Sequence, residues 1–226
     1  MSNSSLVDYT LISPNSTNPR RDKITKITIH HMAGNLTVEQ CGNGFANKSR
    51  QASSNYGIGS DGRVGLYVEE KNRSWASSSP ANDNQAVTIE VANDVVGGNW
   101  HVSDKALAKT IELCADICKR NGIKKLNFTG DTSGNLTMHK YFAATACPGS
   151  YLESKFSYIA DEVNKRLATD SKTQSKTKEL ESINDIVWEL NYRGIINNKE
   201  LWLKKLSEDI NVYWLARKCA NMTVNK

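Results

Sequence analysis

The chain is short of proline, has no long apolar run and carries an odd number of cysteines. Four Pro in 226 residues, and glycines with no period of three, exclude a proline-rich rod and a collagen-like helix. No stretch approaches the ~20 consecutive apolar residues that a spanning helix needs, so no integral membrane contact is expected. The start, Met1-Ser-Asn-Ser-Ser-Leu-Val-Asp-Tyr-Thr, has neither a basic beginning nor an apolar centre. It does not read as a secretory leader, and we expect the chain to stay in the cytoplasm until something else releases it. Five cysteines (41, 114, 118, 147 and 219) without a leader argue against a disulfide framework. Cys114 and Cys118, four apart on an expected helix, read as small apolar residues on a buried face.

What is present is an ordinary globular composition on the polar side, 38% hydrophobic and 23% charged. The length suits one ordinary domain plus a small one, or one large domain. Lys and Arg number 29 against 24 Asp and Glu, a formal charge of +5. That excess fits an anionic partner, cell wall or nucleic acid, without choosing between them.

Residues 1–23, rich in Ser, Asn and Arg, read as an irregular arm. Ile24 to Ile29 is a β-branched run that ends at His30-His31, which predicts a strand. Thr37 to Ala46 is weakly helical, since Gly42 and Gly44 interrupt it. Tyr56–Gly59 and Arg63–Val68 flank Asp61-Gly62, a hairpin signature. Ala86–Ala92 is the most strand-like stretch. Ser103 is a suitable N-cap for a helix with Leu107, Ile111, Cys114 and Cys118 on one face, stopped at Asn121-Gly122. A second helix is expected from about Tyr151 to Leu167. Strands interleaved with amphipathic helices indicate α/β architecture, a central mixed β-sheet flanked by helices.

Residues 169–177 hold no apolar side chain, so 169–180 reads as a linker between a domain of residues 1–168 and a small all-α domain of residues 181–226. In the latter, Ser182 and Asp185 resemble a capping box, Gly194 ends the first helix, and Asn197 and Ser207 are expected caps of two more. Trp188, Trp202 and Trp214 all fall here. They either fill a small core or form a binding or self-association face.

The informative polar residues sit in three segments: Thr28-Ile-His30-His31, Thr137-Met-His139-Lys140 and Thr145-Ala-Cys147-Pro-Gly. Two imidazoles and a thiolate are the donor set of a three-ligand catalytic zinc site with one open position. On spacing alone the signal is weak, and surface or core-satisfied histidines remain the alternative. His101 reads as an exposed loop histidine. Val87, Ile89 and Val91 share one face of their strand, and Thr88, Glu90 and Ala92 the other. A mid-strand carboxylate is costly to bury without a task or a partner, unless it lies on a solvated sheet face.

Taken in order, strand-His30-His31, then Ser54-Asn-Tyr56-Gly-Ile-Gly-x-Asp61-Gly62, then Val87-Thr-Ile-Glu90-Val, then His139 and Thr145-Ala-Cys147-Pro-Gly resemble the zinc-dependent N-acetylmuramoyl-L-alanine amidases. The peptidoglycan recognition proteins and many phage lysins share that family. The resemblance spans about Ile24 to Leu167. It implies a Zn2+ site on His30, His139 and Cys147, with His31 beside it but not a ligand. It also implies Glu90 as general base, Tyr56 near the metal, and Thr145 where some phage members carry a lysine.

The reaction so implied is cleavage of the amide between the lactyl group of muramic acid and L-alanine of the stem peptide in bacterial peptidoglycan. Tyr56 or Thr145 would help hold the charge on the tetrahedral oxygen. The lysin resemblance further implies a phage endolysin, held in the host cytoplasm until lysis, with a carboxy-terminal module that targets wall polymers. Residues 171–226 hold ten Lys and Arg against seven Asp and Glu, a balance that suits anionic wall polymers. Homo-oligomerisation through Trp and Leu is that module's runner-up role. A non-hydrolysing peptidoglycan-binding protein and a bacterial autolysin are the competing readings of the whole. A nucleic-acid partner is disfavoured, because no basic stripe with interleaved aromatics is present.

Overall fold

The computed structural model describes residues 2–192 and 194–216, without the side chains of 170–182, 185, 189 and 192. The chain divides into two compact units, Met1–Leu167 and Ala168–Lys226, each described by itself. The elements in order are β1 (Tyr9–Thr10), β2 (Ser16–Thr17), β3 (Lys26–His31), α1 (Val38–Ala46), β4 (Tyr56–Ile58), β5 (Val64–Leu66), β6 (Arg73–Ser74), α2 (Pro80–Gln85), β7 (Ala86–Val91), α3 (Asp104–Asn121), β8 (Leu136–Met138), α4 (Ser150–Tyr192) and α5 (Lys199–Glu208).

The first unit is built on a six-stranded mixed sheet of order β1-β5-β4-β7-β3-β8. Only the β4–β5 hairpin is antiparallel; β4, β7, β3 and β8 run parallel to one another. The alternation seen in the sequence sorts this sheet into two faces. Ile27, Ile29, Val87, Ile89, Val91, Leu136 and Met138 point into one core with Leu113, Ile117, Phe156, Ile159 and Val163 of α3 and α4. Each such side chain, fully removed from water, contributes roughly 1.5–3 kcal/mol. The opposite face carries a layer of hydroxyls and amides. Thr28 and Thr137 share a hydrogen bond of 2.9 Å, Asn82 donates to Thr28 at 2.9 Å, and Ser74 pairs with Thr88 at 2.7 Å. The hydroxyls and the Asn82 amide nitrogen are buried but partnered, which removes most of their desolvation cost.

Local chemistry explains the helix ends. Thr37 and Gln40 form a reciprocal capping box that starts α1 despite its two glycines. Ser103 caps α3, and Gly122 ends it with φ 70°. Gly57 and Gly65 face each other across the hairpin because a Cβ on either would lie 2.5–2.6 Å from the Tyr67 hydroxyl. Tyr67 fills that space and donates to the Val38 carbonyl at 2.8 Å.

The arm expected to be irregular is pinned to the fold. β1 adds a parallel edge to β5, and β2 pairs antiparallel with β6. The buried Arg20 guanidinium donates to the carbonyls of Glu70, Asn72, Asn84 and Ala86. A polar sequence with no period gives no sign of such pairing, because the partners lie 50 or more residues away.

The helix expected over 151–167 does not stop there. α4 is assigned from Ser150 to Tyr192, so the backbone of the expected linker is helical. Residues 169–180 contain neither Gly nor Pro, and nothing in them breaks a helix. The expected capping pair of Ser182 and Asp185 lies outside the described side chains. Gly194, with φ 68°, follows the end of α4. The next cap is Asn198 rather than Asn197, its side chain accepting the Leu201 N–H at 3.0 Å. The last helical stretch, residues 210–216, is capped by Asp209 rather than Ser207. Cys219 lies outside the described residues.

The second unit has an aliphatic core of Ile183, Ile186, Val187, Leu190, Ile196 and Leu206, closed by Tyr213 and Ala216. Trp202 is only partly buried against it, and Trp188 and Trp214 are more than half exposed. Among the described residues, no helix is long and apolar enough to cross a membrane.

Candidate metal centre

Three adjacent parallel strands bring the expected site together at their carboxyl ends, where the open edge of parallel sheets places ligands. His30 stands one residue from the end of β3, and Glu90 opposite it one residue from the end of β7. His139 follows β8 directly. All three lie on the hydroxyl-bearing face. Each is preceded two residues earlier by a buried threonine, Thr28, Thr88 or Thr137. That repeated threonine–apolar–functional triplet was a signal available in the sequence, and it marks the non-core face.

Cys147 arrives from the segment between β8 and α4. One donor atom from each of His30, His139 and Cys147 lies within 4.8 Å of the others. The two imidazoles stand 4.6 Å apart, centroid to centroid, at 49°. A Glu90 carboxylate oxygen is 3.9 Å from His30 Nδ1. The site opens into a cavity of about 820 Å³ whose walls include Gln40, Asn47, Arg50, Trp75 and Thr145. A second cavity, about 360 Å³, also reaches His139 and Trp75.

The donor set fits a divalent cation. Nε2 of His30, Nε2 of His139 and Oε2 of Glu90 are buried without a hydrogen-bond partner, an arrangement that costs free energy unless another ligand takes the lone pairs. Burial, with the neighbouring His139 and His31, holds His30 well below the usual imidazole range, and burial also lowers His139. Both rings are therefore neutral and available as ligands at pH 7. Burial, followed by the Glu90 carboxylate, pushes the Cys147 thiol above its ordinary range, against the His31 N–H that favours thiolate. Burial lifts Glu90 to about 8, partly offset by Arg50. Two groups whose anions burial disfavours, beside two neutral imidazoles, form a pocket that a positive charge would stabilise.

Not every expected residue is here. Tyr56 pairs in register with Ile89, and Gly57 with Glu90, so Tyr56 points to the opposite side of the sheet from the carboxylate. Its hydroxyl donates to Glu70 Oε1 at 2.6 Å and accepts the Ser4 N–H at 2.9 Å. Arg120 adds two contacts to Glu70, at 2.6 and 2.9 Å. The tyrosine belongs to a buried network on the core side, which corrects its expected place near the metal. Thr145 does line the cavity, and its Oγ1 accepts the Cys147 N–H at 3.2 Å. Lys140 is engaged with Glu153 at 2.8 Å. His101 pairs with Asp94 at 2.7 Å rather than standing free.

Residues the sequence did not single out complete the surroundings. Arg50 is a cationic wall of the cavity. Trp75 is held by hydrogen bonds from its N–H to Ser53 and from its indole to Thr17, at 3.0 and 2.9 Å. Neither carries a motif of its own; proximity alone recruits them.

Comparison with known proteins agrees with this architecture. The fold matches the structure of PlyL at 15% identity, over 70% of this chain and 96% of that one, with a TM-score of 0.55. It matches a mutant endolysin from Bacillus subtilis at 17% identity, over 70% and 99% of the two chains, with a TM-score of 0.54. It matches the Staphylococcus aureus hydrolase AmiA, solved with its ligand, at 15% identity over 76% and 87%, with a TM-score of 0.57. No curated protein matches the chain. The sequence model of the N-acetylmuramoyl-L-alanine amidases matches residues 20–150, which include every candidate ligand and Glu90. With more than half of its length so matched, the chain belongs to the N-acetylmuramoyl-L-alanine amidase family.

Proposed function

We propose that this chain is a zinc-dependent N-acetylmuramoyl-L-alanine amidase of endolysin type. It would cleave the amide between the muramic acid lactyl group and L-alanine of the stem peptide. The observation that carries this reading is the convergence of His30, His139 and Cys147 within 4.8 Å, beside a desolvated carboxylate and at the floor of an open cavity. When bound, zinc supplies a Lewis acid and lowers the pKa of a coordinated water to about 7.

The chain's own residues do the rest. His30, His139 and Cys147 hold the ion, the imidazoles kept neutral by burial. Glu90 takes a proton from the attacking water and delivers it to the departing L-alanine amine, a proton transfer worth typically 10²–10⁴ in rate. Thr145 accepts the Cys147 N–H, which leaves its own O–H free to donate toward the developing oxyanion. Arg50 presents positive charge along the wall that the stem peptide would follow. With its position on the core side, Tyr56 takes no part in the chemistry.

A non-hydrolysing wall-binding protein on this fold would need neither the intact donor set nor Glu90, so the enzyme reading is favoured. The test is release of free amino groups from purified walls, with L-alanine as the new amino terminus. Release should stop with a chelator and return with added zinc. Walls that bind the protein but release no amine would leave the binder reading in place.

For the second unit we propose wall targeting, supported by its net positive charge and by exposed Trp188 and Trp214. An endolysin so built would wait in the host cytoplasm and act on the wall at lysis. Self-association through the same unit is the competing role, and sedimentation of the full chain with and without walls separates the two.

A further inference from the structure

Trp100 has a left-handed backbone, φ 57°, a conformation that bulky residues adopt only where their surroundings impose it. Those surroundings are the neighbourhood of Cys147. The Trp100 N–H donates to the Gly97 carbonyl at 2.9 Å, and Asn93 Nδ2 donates to the Trp100 carbonyl at 2.8 Å. The adjacent Asn99 carbonyl accepts the Tyr151 N–H at 2.9 Å and the Ser150 hydroxyl at 3.3 Å. The loop is thereby stitched to the residues that follow Cys147 in sequence.

Two contacts of Trp100 then bracket the cysteine. Its ring meets His31 edge-on, with centroids 5.1 Å apart at 88°. The backbone N–H of the same residue, His31, donates to Cys147 Sγ at 3.4 Å. On the other side stands Gly149, where a Cβ would come within 2.8 Å of Trp100 Cβ and 3.3 Å of its Cγ. The glycine is demanded by this approach as well as by its φ of 85°.

We infer that Trp100 is a positioning residue for the metal centre: it presses on His31 and Gly149, which flank Cys147, and so fixes the sulfur relative to His30 and His139. The inference rests on the metal reading above. Ligand orientation set from outside the ligand shell commonly changes metal affinity by about 10–100-fold.

The test uses the full chain, stripped with a chelator and titrated with Co2+, whose absorption reports a bound thiolate directly. W100A should raise the apparent Kd for Co2+ about 10–100-fold and weaken or shift the thiolate-to-cobalt charge-transfer band. W100F keeps the Cβ and Cγ that leave no room for a side chain at Gly149, and the ring edge toward His31, and should bind and absorb as the wild type does. W100L keeps a Cβ and Cγ beside Gly149 but removes the ring edge that meets His31, and should weaken cobalt binding as W100A does. Circular dichroism checks that each variant is folded; if W100A is not, W100L decides by the same two readings. Wild-type affinity and an unchanged band in the deciding variant, or a W100F protein as weak as W100A, overturns the inference. A wild-type protein that shows no thiolate band refutes the metal reading itself, a separate failure.

Discussion

Replacing Glu90 by Gln keeps the shape of the side chain and removes its ability to take or give a proton, so it isolates one element of the proposed chemistry. With zinc bound, the variant should retain one metal per chain, because the three donors converge without Glu90. Its kcat should fall by about 10²–10⁴, equivalent to about 3–5 kcal/mol of barrier. The same substitution has a second signature in chelator-treated protein. There, burial lifts the Glu90 carboxyl from its ordinary 4.5 to about 8.

The folded state thus binds a proton that the unfolded state has released between those two values. Stability contributed by the neutral carboxyl is complete below about pH 4.5 and declines as pH rises through about 8. The interval bounds the penalty at about 5 kcal/mol. The side chain is 15% exposed, and relaxation of the polar surroundings reduces the expectation to roughly 2–3 kcal/mol. Glutamine has no such penalty. The melting temperature of metal-free E90Q should therefore gain on wild type by roughly 5–10 °C between pH 5 and pH 8. Turnover within about threefold of wild type would remove Glu90 from proton transfer. Loss of metal from E90Q would place the carboxylate in the ligand shell instead, and a pH-independent melting difference would mean that the carboxyl is solvated.

Three other outcomes are expected. H139A should lose stoichiometric zinc by elemental analysis while keeping its circular dichroism spectrum, and full metal content would show that the ligand set is wrong. Y56F should leave kcat within about threefold of wild type but lower stability by about 1–3 kcal/mol in denaturant titration, because Glu70 loses a buried donor; a large kcat loss with unchanged stability would return the tyrosine to the site. A chain ending at residue 168 should cleave soluble wall fragments at the full-length rate yet sediment less with intact walls, and equal sedimentation would contradict wall targeting by the second unit.

Much of this was legible in the residues because local periodicity carries face information. Alternation in Ala86–Val91 separated the core-facing Ile89 from Glu90, and that separation holds in the sheet. The spacing of Leu107, Ile111, Cys114 and Cys118 defined the buried face of α3, and Ser103 and Gly122 are its caps. Tyr56 was misplaced because a motif records proximity in sequence, whereas the register of β4 on β7 decides which side a residue faces. The helical course of 169–180 was missed because a run of polar residues shows only that nothing need be buried.

The sequence by itself determined the strand and helix faces, the hairpin and the types of donor available, since each depends on neighbours within a turn or a pleat, and the order of its motifs along the chain carried the family resemblance. Only the tertiary structure decided that donor atoms of His30, His139 and Cys147 come within 4.8 Å of one another, that Arg50 and Trp75 wall the adjoining cavity, and that the Trp100 ring lies edge-on to His31. The ligands are more than 100 residues apart at their extremes, and no local rule encodes such distances. They are set by parallel pairing of β7, β3 and β8 over a common core, which places the ends of separate strands side by side.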